Sequence, residues 1–412
     1  MLRYARNDIF SGVFRQSLRG AFRPMNHQTQ VELTRRIFHY IDTKSTARAE
    51  SVFYNDLTTY TCLQRLAREK EILFREYPLL AGLSCQLRNP GDVLTHDDTG
   101  VPIFIVRAQS GQLNAFINVC RHRGGRVVEG CGTGKRDFMC PYHGWTYDHD
   151  GHVTTIPDAE SFAGLDRSKH RLVPLPIVEK YGCIWVTPKP GATIDIDAHL
   201  SGFEQDLAAY SLDSYHHYQT RMIRRKLNWK MMADTFLETY HFATLHRNTL
   251  VPIFHGNLAP FDSFGLNSRM VGVRKSIAKL RDKPETEWNL IPHTGIVNLL
   301  FPNSVLVIQG DHIETWHAYP VEDRVDECVM YASLYAPDPI TTEKAAKHWD
   351  ANLDLLLRTV EQEDFPVNEH IERGAFSGAQ AHLTYGRNEP ALIHYHRSLR
   401  EALGLPDLPT SE

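Results

Sequence analysis

The sequence predicts an α+β chain of two main domains, a small all-β unit followed by a larger antiparallel sheet with helices packed on one face. Three observations predict it. The 412 residues are too many for one ordinary core and few for three. From 77 to 190 the chain reads as short β-like runs broken by glycine. Beyond Pro188, Pro190 and Gly191, which mark a linker, a helical pattern near 228–246 leads into paired strand-like runs and then a long helix from Thr341.

Taken in order, residues 1–24 carry Arg3, Arg6, Arg15, Arg19 and Arg23 against one acid, Asp8. That is the composition of a transit peptide; the preferred reading is a poorly ordered extension, with Met25 an alternative start. Residues 25–76 are helical, with "LQRLAREKEILF" at 63–74 repeating apolar residues at three and four, and are expected to pack on the larger, C-terminal domain. In 77–190, "VPIFIVRA", "NAFINV" and "GCIWVTP" supply strands. In 191–412, "GIVNLLFPNSVLVIQG" and "IETWHAYP" supply more.

A net charge of −4 gives no electrostatic argument for nucleic acid or an anionic membrane. No run approaches the roughly 18 to 20 apolar residues of a membrane span. Seven cysteines spread thinly over the chain fit a reducing cytoplasm better than a secreted disulfide scaffold.

Two stretches concentrate chemistry. "NVCRHRGG" at 118–125 holds Cys120 and His122, and "CPYHGW" at 140–145 holds Cys140 and His143, with seventeen residues between His122 and Cys140. Two sulfurs and two nitrogens suit tetrahedral zinc, or a [2Fe–2S] cluster with two cysteines on one iron and two histidines on the other. The C-x-H spacing disfavours a zinc finger. Cys131, between the loops, reads as a packed thiol rather than a ligand. The two motifs resemble a Rieske cluster motif, and Gly125 and Tyr142, where respiratory Rieske proteins hold a disulfide, make the likeness one to the oxygenase type.

The chain continues far beyond what an electron carrier needs. Within "NWKMMADTFLETYHFATLH" at 228–246, Glu238 and His241 are expected on one helix face, with His246 about 140° further round, so a break or bulge after His241 is needed for one metal to meet both histidines. On the helix from Thr341, Leu353, Leu357 and Val360 form an apolar stripe that Asp364 extends, and Pro366 would kink the helix beyond it. Glu361 and Glu363 compete with Asp364, which is preferred; Glu363 is expected to point about 100° away and to matter little. Two histidines and a carboxylate form the facial triad of non-haem iron(II) oxygenases.

From about 50 to 400 the sequence resembles the large (α) subunit of Rieske non-haem iron oxygenases. The resemblance implies a Rieske domain plus a helix-grip, START-like catalytic domain. It implies Cys120, His122, Cys140 and His143 as [2Fe–2S] ligands, and His241, His246 and Asp364 as ligands of mononuclear Fe(II). Glu238 would relay between centres, one oxygen on His241 and the other free for a cluster histidine of the next subunit in a homotrimer, so that Glu238→Gln would keep both metals. The implied activity is hydroxylation of an aromatic or related small organic substrate with dioxygen. Glutamate rather than aspartate at 238 points to the alternative, an N-demethylating or quaternary-ammonium monooxygenase. Thr235 stands where an asparagine is frequent, which puts hydrogen bonding behind the ligands in doubt. No G-x-G-x-x-G loop or ferredoxin cysteine set is visible, so a separate reductase, with or without a ferredoxin, is expected. Gln309, Asp311 and His312 are candidate substrate contacts. The rivals are a Rieske electron carrier without catalytic iron and a zinc-stabilised binding module.

Overall fold

The computed structural model describes residues 25–408; the arginine-rich 1–24 segment lies outside the described residues. Helix α1 (His27–Thr43) starts at Asn26, whose side chain accepts the Gln28 N–H, and stops at Lys44 in the left-handed conformation. Its stripe Val31, Leu33, Ile37 and Phe38 enters one core with Leu290 and Ile291. Strand β1 (Phe53–Asp56) and helix α2 (Leu63–Ile72) follow. Buried Glu69 of α2 meets Lys230 Nζ at 2.7 Å and Trp229 Nε1 at 3.0 Å, an ion pair and a hydrogen bond that pin α2 to the start of the helix preceding the later site residues.

The small β domain has three antiparallel sheets. Its strands are β2 (Leu79–Leu83), β3 (Val93–His96), β4 (Ile103–Arg107), β5 (Leu113–Ile117), β6 (Phe138–Met139), β7 (Thr146–Tyr147), β8 (Val153–Thr155), β9 (Pro174–Leu175), β10 (Ile177–Lys180) and β11 (Cys183–Val186). They pair as β10-β11-β2, β3-β4-β5-β9 and β6-β7-β8. The two Cys/His stretches are the loops after β5 and between β6 and β7.

The large domain runs β12 (His216–Arg225), α3 (Lys230–Phe236), β13 (Phe261–Phe264), β14 (Asn267–Val273), β15 (Thr294–Leu300), β16 (Ser304–Ile308), β17 (Ile313–Pro320) and β18 (Cys328–Ala336). The strands form one antiparallel sheet, order β12-β18-β17-β16-β15-β14-β13. Then come α4 (Glu343–Thr359), a π-helical turn (Val360–Asp364), α5 (Phe365–Ala375), β19 (His382–Tyr385), which pairs with β1, and α6 (Pro390–Ala402).

Three expectations need correction. Helices cover both faces of the sheet: α3, α4 and α6 pack on the side of Val305, Val307 and Trp316, while α1 and short helices within 196–209 cover Val271, Ile296 and Leu306. Strands such as β16 and β17 are buried throughout, so neither face tolerates water. The helix expected over 228–246 is the seven-residue α3, which ends at Phe236. The helix from Thr341 does not run on straight: its N-cap is Thr342, and the π turn re-aims the chain immediately before Pro366.

Burial of neutral histidines makes the fold acid-sensitive. His317 of β17 is buried beside Ser304, and burial, with help from nearby His96, pushes it down to about 3. Its folded value lies below the unfolded one, so the stabilisation is present above about pH 6.5 and is lost as pH falls towards 3, by roughly 1.4 kcal/mol per pH unit. The melting temperature should drop below pH 6, and His317→Gln should flatten that dependence; an equally steep profile in the variant would exclude His317 as a source.

Candidate functional site

Both cysteine loops close by the same turn. Cys120 N–H donates to Gly125 O at 2.7 Å and Gly124 N–H to Cys120 O at 2.9 Å; Cys140 N–H donates to Trp145 O at 2.8 Å and Gly144 N–H to Cys140 O at 3.0 Å. Gly124 and Gly144, each four residues after its cysteine, have φ of 78° and 71°, where a side chain would be strained. The paired turns bury the thiols of Cys120 and Cys140 and leave His122 half-buried and His143 exposed, with ring centroids 4.7 Å apart. A Cβ on Gly125 would stand 3.5 Å from Cys140 Sγ and 3.9 Å from Tyr142 Cβ, so the two positions that depart from a disulfide pair do face each other. Two soft sulfurs inside and two imidazoles at the surface fit a mixed-ligand cluster whose histidine edge faces out. Cys131, expected to be packed, is exposed, on a glycine-rich loop with no core to enter.

Tyr147 of β7 completes this centre. Its hydroxyl accepts the Arg121 N–H at 2.9 Å, which leaves its own proton for Cys120 Sγ at 3.3 Å. Trp145 stacks on the His122 ring at 5.1 Å and 7°. A donor on a cysteine sulfur withdraws charge from the sulfur and favours the reduced cluster. Tyr147→Phe should therefore lower the cluster potential with the visible spectrum retained; a potential that stays or rises, measured by redox titration, refutes this role.

The second constellation gathers from three places. After α3 the chain turns through 237–240 into a short 3₁₀ turn at His241–Ala243. Glu238 thus caps that turn and shares no α-helical face with His241. Its Oε2 accepts the backbone N–H of Tyr240 and of His241, and its Oε1 meets His241 Nδ1. The oxygen expected to be free for a neighbouring subunit is therefore engaged within the chain. His246 follows in irregular turns, and Asp364 arrives from the π turn.

His246 Nε2 lies 3.0 Å and His241 Nε2 3.5 Å from Asp364 Oδ1, with donor atoms of all three residues within 4.8 Å of one another. Each histidine is held from behind: His241 Nδ1 by Glu238, His246 Nδ1 by Glu363 at 2.6 Å. Carboxylates on both Nδ1 atoms keep the proton there and turn both Nε2 lone pairs towards Asp364, the donor geometry a divalent metal requires. Burial opposes a proton on His246, but Asp364 and Glu363 outweigh it and raise its pKa; the same negative field attracts a metal cation. Glu361 turns away to Arg225 at 2.6 Å.

Glu363 is the main correction. It does not point idly away from Asp364: its Oε2 holds both His246 Nδ1 and, at 2.8 Å, Thr249 Oγ1. The hundred degrees assumed between neighbours holds for an α-helix, not for a wider π turn. Thr235 donates to Met231 O and accepts from Asn368, clear of the histidines. Asp234 instead binds Tyr60 at 2.6 Å and His396 at 2.8 Å, a buried network that anchors α3 to α6. Of the candidate contacts, Gln309, Asp311 and His312 sit together beside Glu314 and Arg274, which sequence reasoning did not single out.

Comparisons with known proteins match the two domains that carry these constellations. A family model described as the Rieske [2Fe-2S] domain matches residues 78–180, and one described as the ring hydroxylating alpha subunit (catalytic domain) matches 212–405. The glycine betaine monooxygenase oxygenase subunit of Pseudomonas aeruginosa is 31% identical over 354 residues, 75% of this chain and 81% of that protein. The carnitine monooxygenase oxygenase subunit of Escherichia coli is 32% identical over 192 residues, and the match spans about half of its length. The crystal structure of the quaternary ammonium Rieske monooxygenase CntA with L-carnitine superposes with a TM-score of 0.73 at 18% identity, covering 86% of this chain and 96% of that one, a likeness of fold. With a cluster-motif domain and a ring-hydroxylating catalytic domain in one polypeptide, the chain belongs to the family of Rieske non-haem iron oxygenase α subunits.

Proposed function

We propose that the chain is the terminal oxygenase of a multicomponent system, acting on a small organic molecule with a methylated, positively charged nitrogen. The observation that carries it is the presence in one chain of two complete donor sets of different chemistry. Cys120, His122, Cys140 and His143 would hold a [2Fe–2S] cluster, and His241, His246 and Asp364 a mononuclear iron(II). When bound, these groups supply single electrons and the activation of dioxygen. The protein supplies the rest. Glu238 and Glu363 fix the tautomers of His241 and His246, the ring of Phe242 lies beside both histidines with Phe254 behind it, and the buried sheet face keeps water out.

The nitrogen substrate is supported by the names of the relatives and by glutamate at 238. Ring hydroxylation, in the description of the catalytic family model, is the second reading. The seven cysteines, all free, suit the cytoplasm, and among the described residues no helix is long and apolar enough to cross a membrane. A head-to-tail homotrimer is supported by large apolar side chains left in water at both centres: Met139 and Tyr142 beside the cluster loops, and Tyr240 beside Glu238. A reductase must accompany it.

The test is chemical. The protein purified under nitrogen should be red-brown, carry three irons per chain, and give the mixed-ligand [2Fe–2S] electron-resonance signal on reduction. With a reductase, product analysis under labelled dioxygen should find one labelled atom in the products of a trimethylammonium compound and none from benzoate or naphthalene. Colourless protein with stoichiometric zinc, or two irons and no turnover, would end the reading.

A further inference from the structure

Resting on the quaternary-ammonium reading, we propose that Arg274 is a specificity determinant that binds a carboxylate on the substrate, so that the preferred substrate is a zwitterion rather than a simple trimethylammonium alcohol.

The strand register places the site. Gly272 pairs with Gly295 across β14 and β15, and Val297 pairs with Val307, which pairs in turn with Glu314. These residues share the sheet face that also carries Trp316, the face covered by α3 and α4. Arg274 follows β14 on that side. Its Nη2 donates to Gln309 Oε1 at 2.9 Å, and its guanidinium lies 5.2 Å from the centre of the Phe254 ring. Phe254 covers the glycine pair, since a Cβ on Gly272 or Gly295 would stand 3.8 or 3.7 Å from its ring. Phe254 in turn is 6.1 Å from Phe242, whose ring is edge-on to His241 at 5.0 Å and His246 at 5.5 Å. Two aromatic rings therefore connect the histidines to Arg274, and the missing side chains at 272 and 295 let the Phe254 ring lie against the sheet.

The hydrogen-bond account of this corner is uneven in one direction. Glu314 is engaged at both oxygens: Oε1 accepts from Gln309 at 3.2 Å and His312 at 3.1 Å, and Oε2 accepts from Trp316 Nε1 at 3.3 Å. Asp311 holds His312 Nδ1 at 2.8 Å. Burial disfavours a charge on His312, but hydrogen bonds to Asp311 and Glu314 overcome it and push it up to about 9, so it is cationic at neutral pH. Arg274 and His312 then balance Asp311 and Glu314. What remains is a donor: Arg274 Nε is sealed from solvent with no acceptor among the described residues. A buried guanidinium N–H left unpaired is costly, and the partner its planar fork suits is a carboxylate. In a corner already neutral, a zwitterion adds no net charge, whereas a trimethylammonium alcohol adds an uncompensated cation.

Three isosteric probes test this by calorimetry on the anaerobic holoenzyme: trimethylglycine, choline, and tert-butylacetate, which keeps the carboxylate and replaces nitrogen by carbon. Trimethylglycine should bind tightest, tert-butylacetate more weakly, and choline at least about tenfold more weakly than trimethylglycine. Arg274→Gln should weaken trimethylglycine roughly 10- to 100-fold and leave choline as tight as before or tighter, because it removes a positive charge from the corner, with the cluster spectrum intact; Arg274→Lys, which keeps the charge but loses the fork, should fall between. Choline binding as tightly as trimethylglycine, an unaltered constant in Arg274→Gln, or no binding of either carboxylate overturns the assignment. If tert-butylacetate binds as tightly as trimethylglycine and both depend on Arg274, the carboxylate site stands and the quaternary-ammonium reading falls.

Discussion

Asp364→Ala abolishes turnover, by more than the roughly hundredfold that loss of an outer hydrogen bond produces, while the visible spectrum of the cluster is unchanged. Asp364 is the buried carboxylate common to His241 and His246, at 3.5 and 3.0 Å, and alanine leaves two neutral imidazoles with no anionic ligand beside them. The cluster loops belong to another domain and keep their own hydrogen bonds, so colour should survive. Glu363→Ala gives the graded control. It removes the acceptor behind His246 Nδ1, lets that ring rotate or change tautomer, and should weaken iron binding 10- to 100-fold, with activity partly restored by excess iron(II). The diagnostic is rescue: Glu363→Ala recovers with added iron and Asp364→Ala does not. If the two exchange behaviour, the carboxylate ligand is Glu363 and Asp364 is its support.

What the sequence made legible follows from where local rules apply. The Cys120/His122 and Cys140/His143 stretches are short loops whose geometry is set by residues within them, including Gly124 and Gly144, so spacing alone sufficed. The ligand candidates His241, His246 and Asp364 were legible as residue types, and the structure brings them together. Their supports were not. Glu363 was misplaced because a π turn breaks the α-helical angle on which its direction was reckoned, and a single five-residue irregularity leaves no periodic signal. Glu238 was read on a helix that stops at Phe236, because the apolar pattern of 228–246 continues past the point where the backbone turns into 3₁₀ geometry. Arg274 and Tyr147 act on partners 35 and 27 residues away, contacts that only the folded chain reveals. A signal did exist for Tyr147: it lies four residues after His143, in the strand that leaves the second cluster loop.

Glu238→Gln should lower iron occupancy at His241 and suppress turnover, with the cluster intact, and the reason lies in the tautomer. Oε2 of Glu238 accepts two backbone N–H groups and Oε1 faces His241 Nδ1. A glutamine has one acceptor to divide between them. If its oxygen keeps the backbone bonds, its NH₂ faces Nδ1 and forces the proton onto Nε2, the atom that should face the metal; if it keeps Nδ1, the NH₂ meets two N–H groups head-on. Either way iron affinity falls roughly 10- to 100-fold, so the expectation that both metals survive is replaced. Excess iron(II) then separates two roles. If Glu238 only orients His241, saturating iron restores turnover; if it also relays between subunits through the remaining lone pair of Oε1, occupancy returns and turnover does not. The second outcome needs a neighbouring chain, which a mixture of two inactive proteins examines directly. Cys120→Ser lacks the cluster and His241→Ala lacks the second iron, and reassembled together they place some intact clusters of one chain against intact irons of the next. Activity returning in the mixture establishes transfer between subunits at the Glu238 surface, where Tyr240 stands exposed. A mixture that stays dead although mixed assemblies form confines transfer to a single chain and leaves Glu238 as the residue that orients His241.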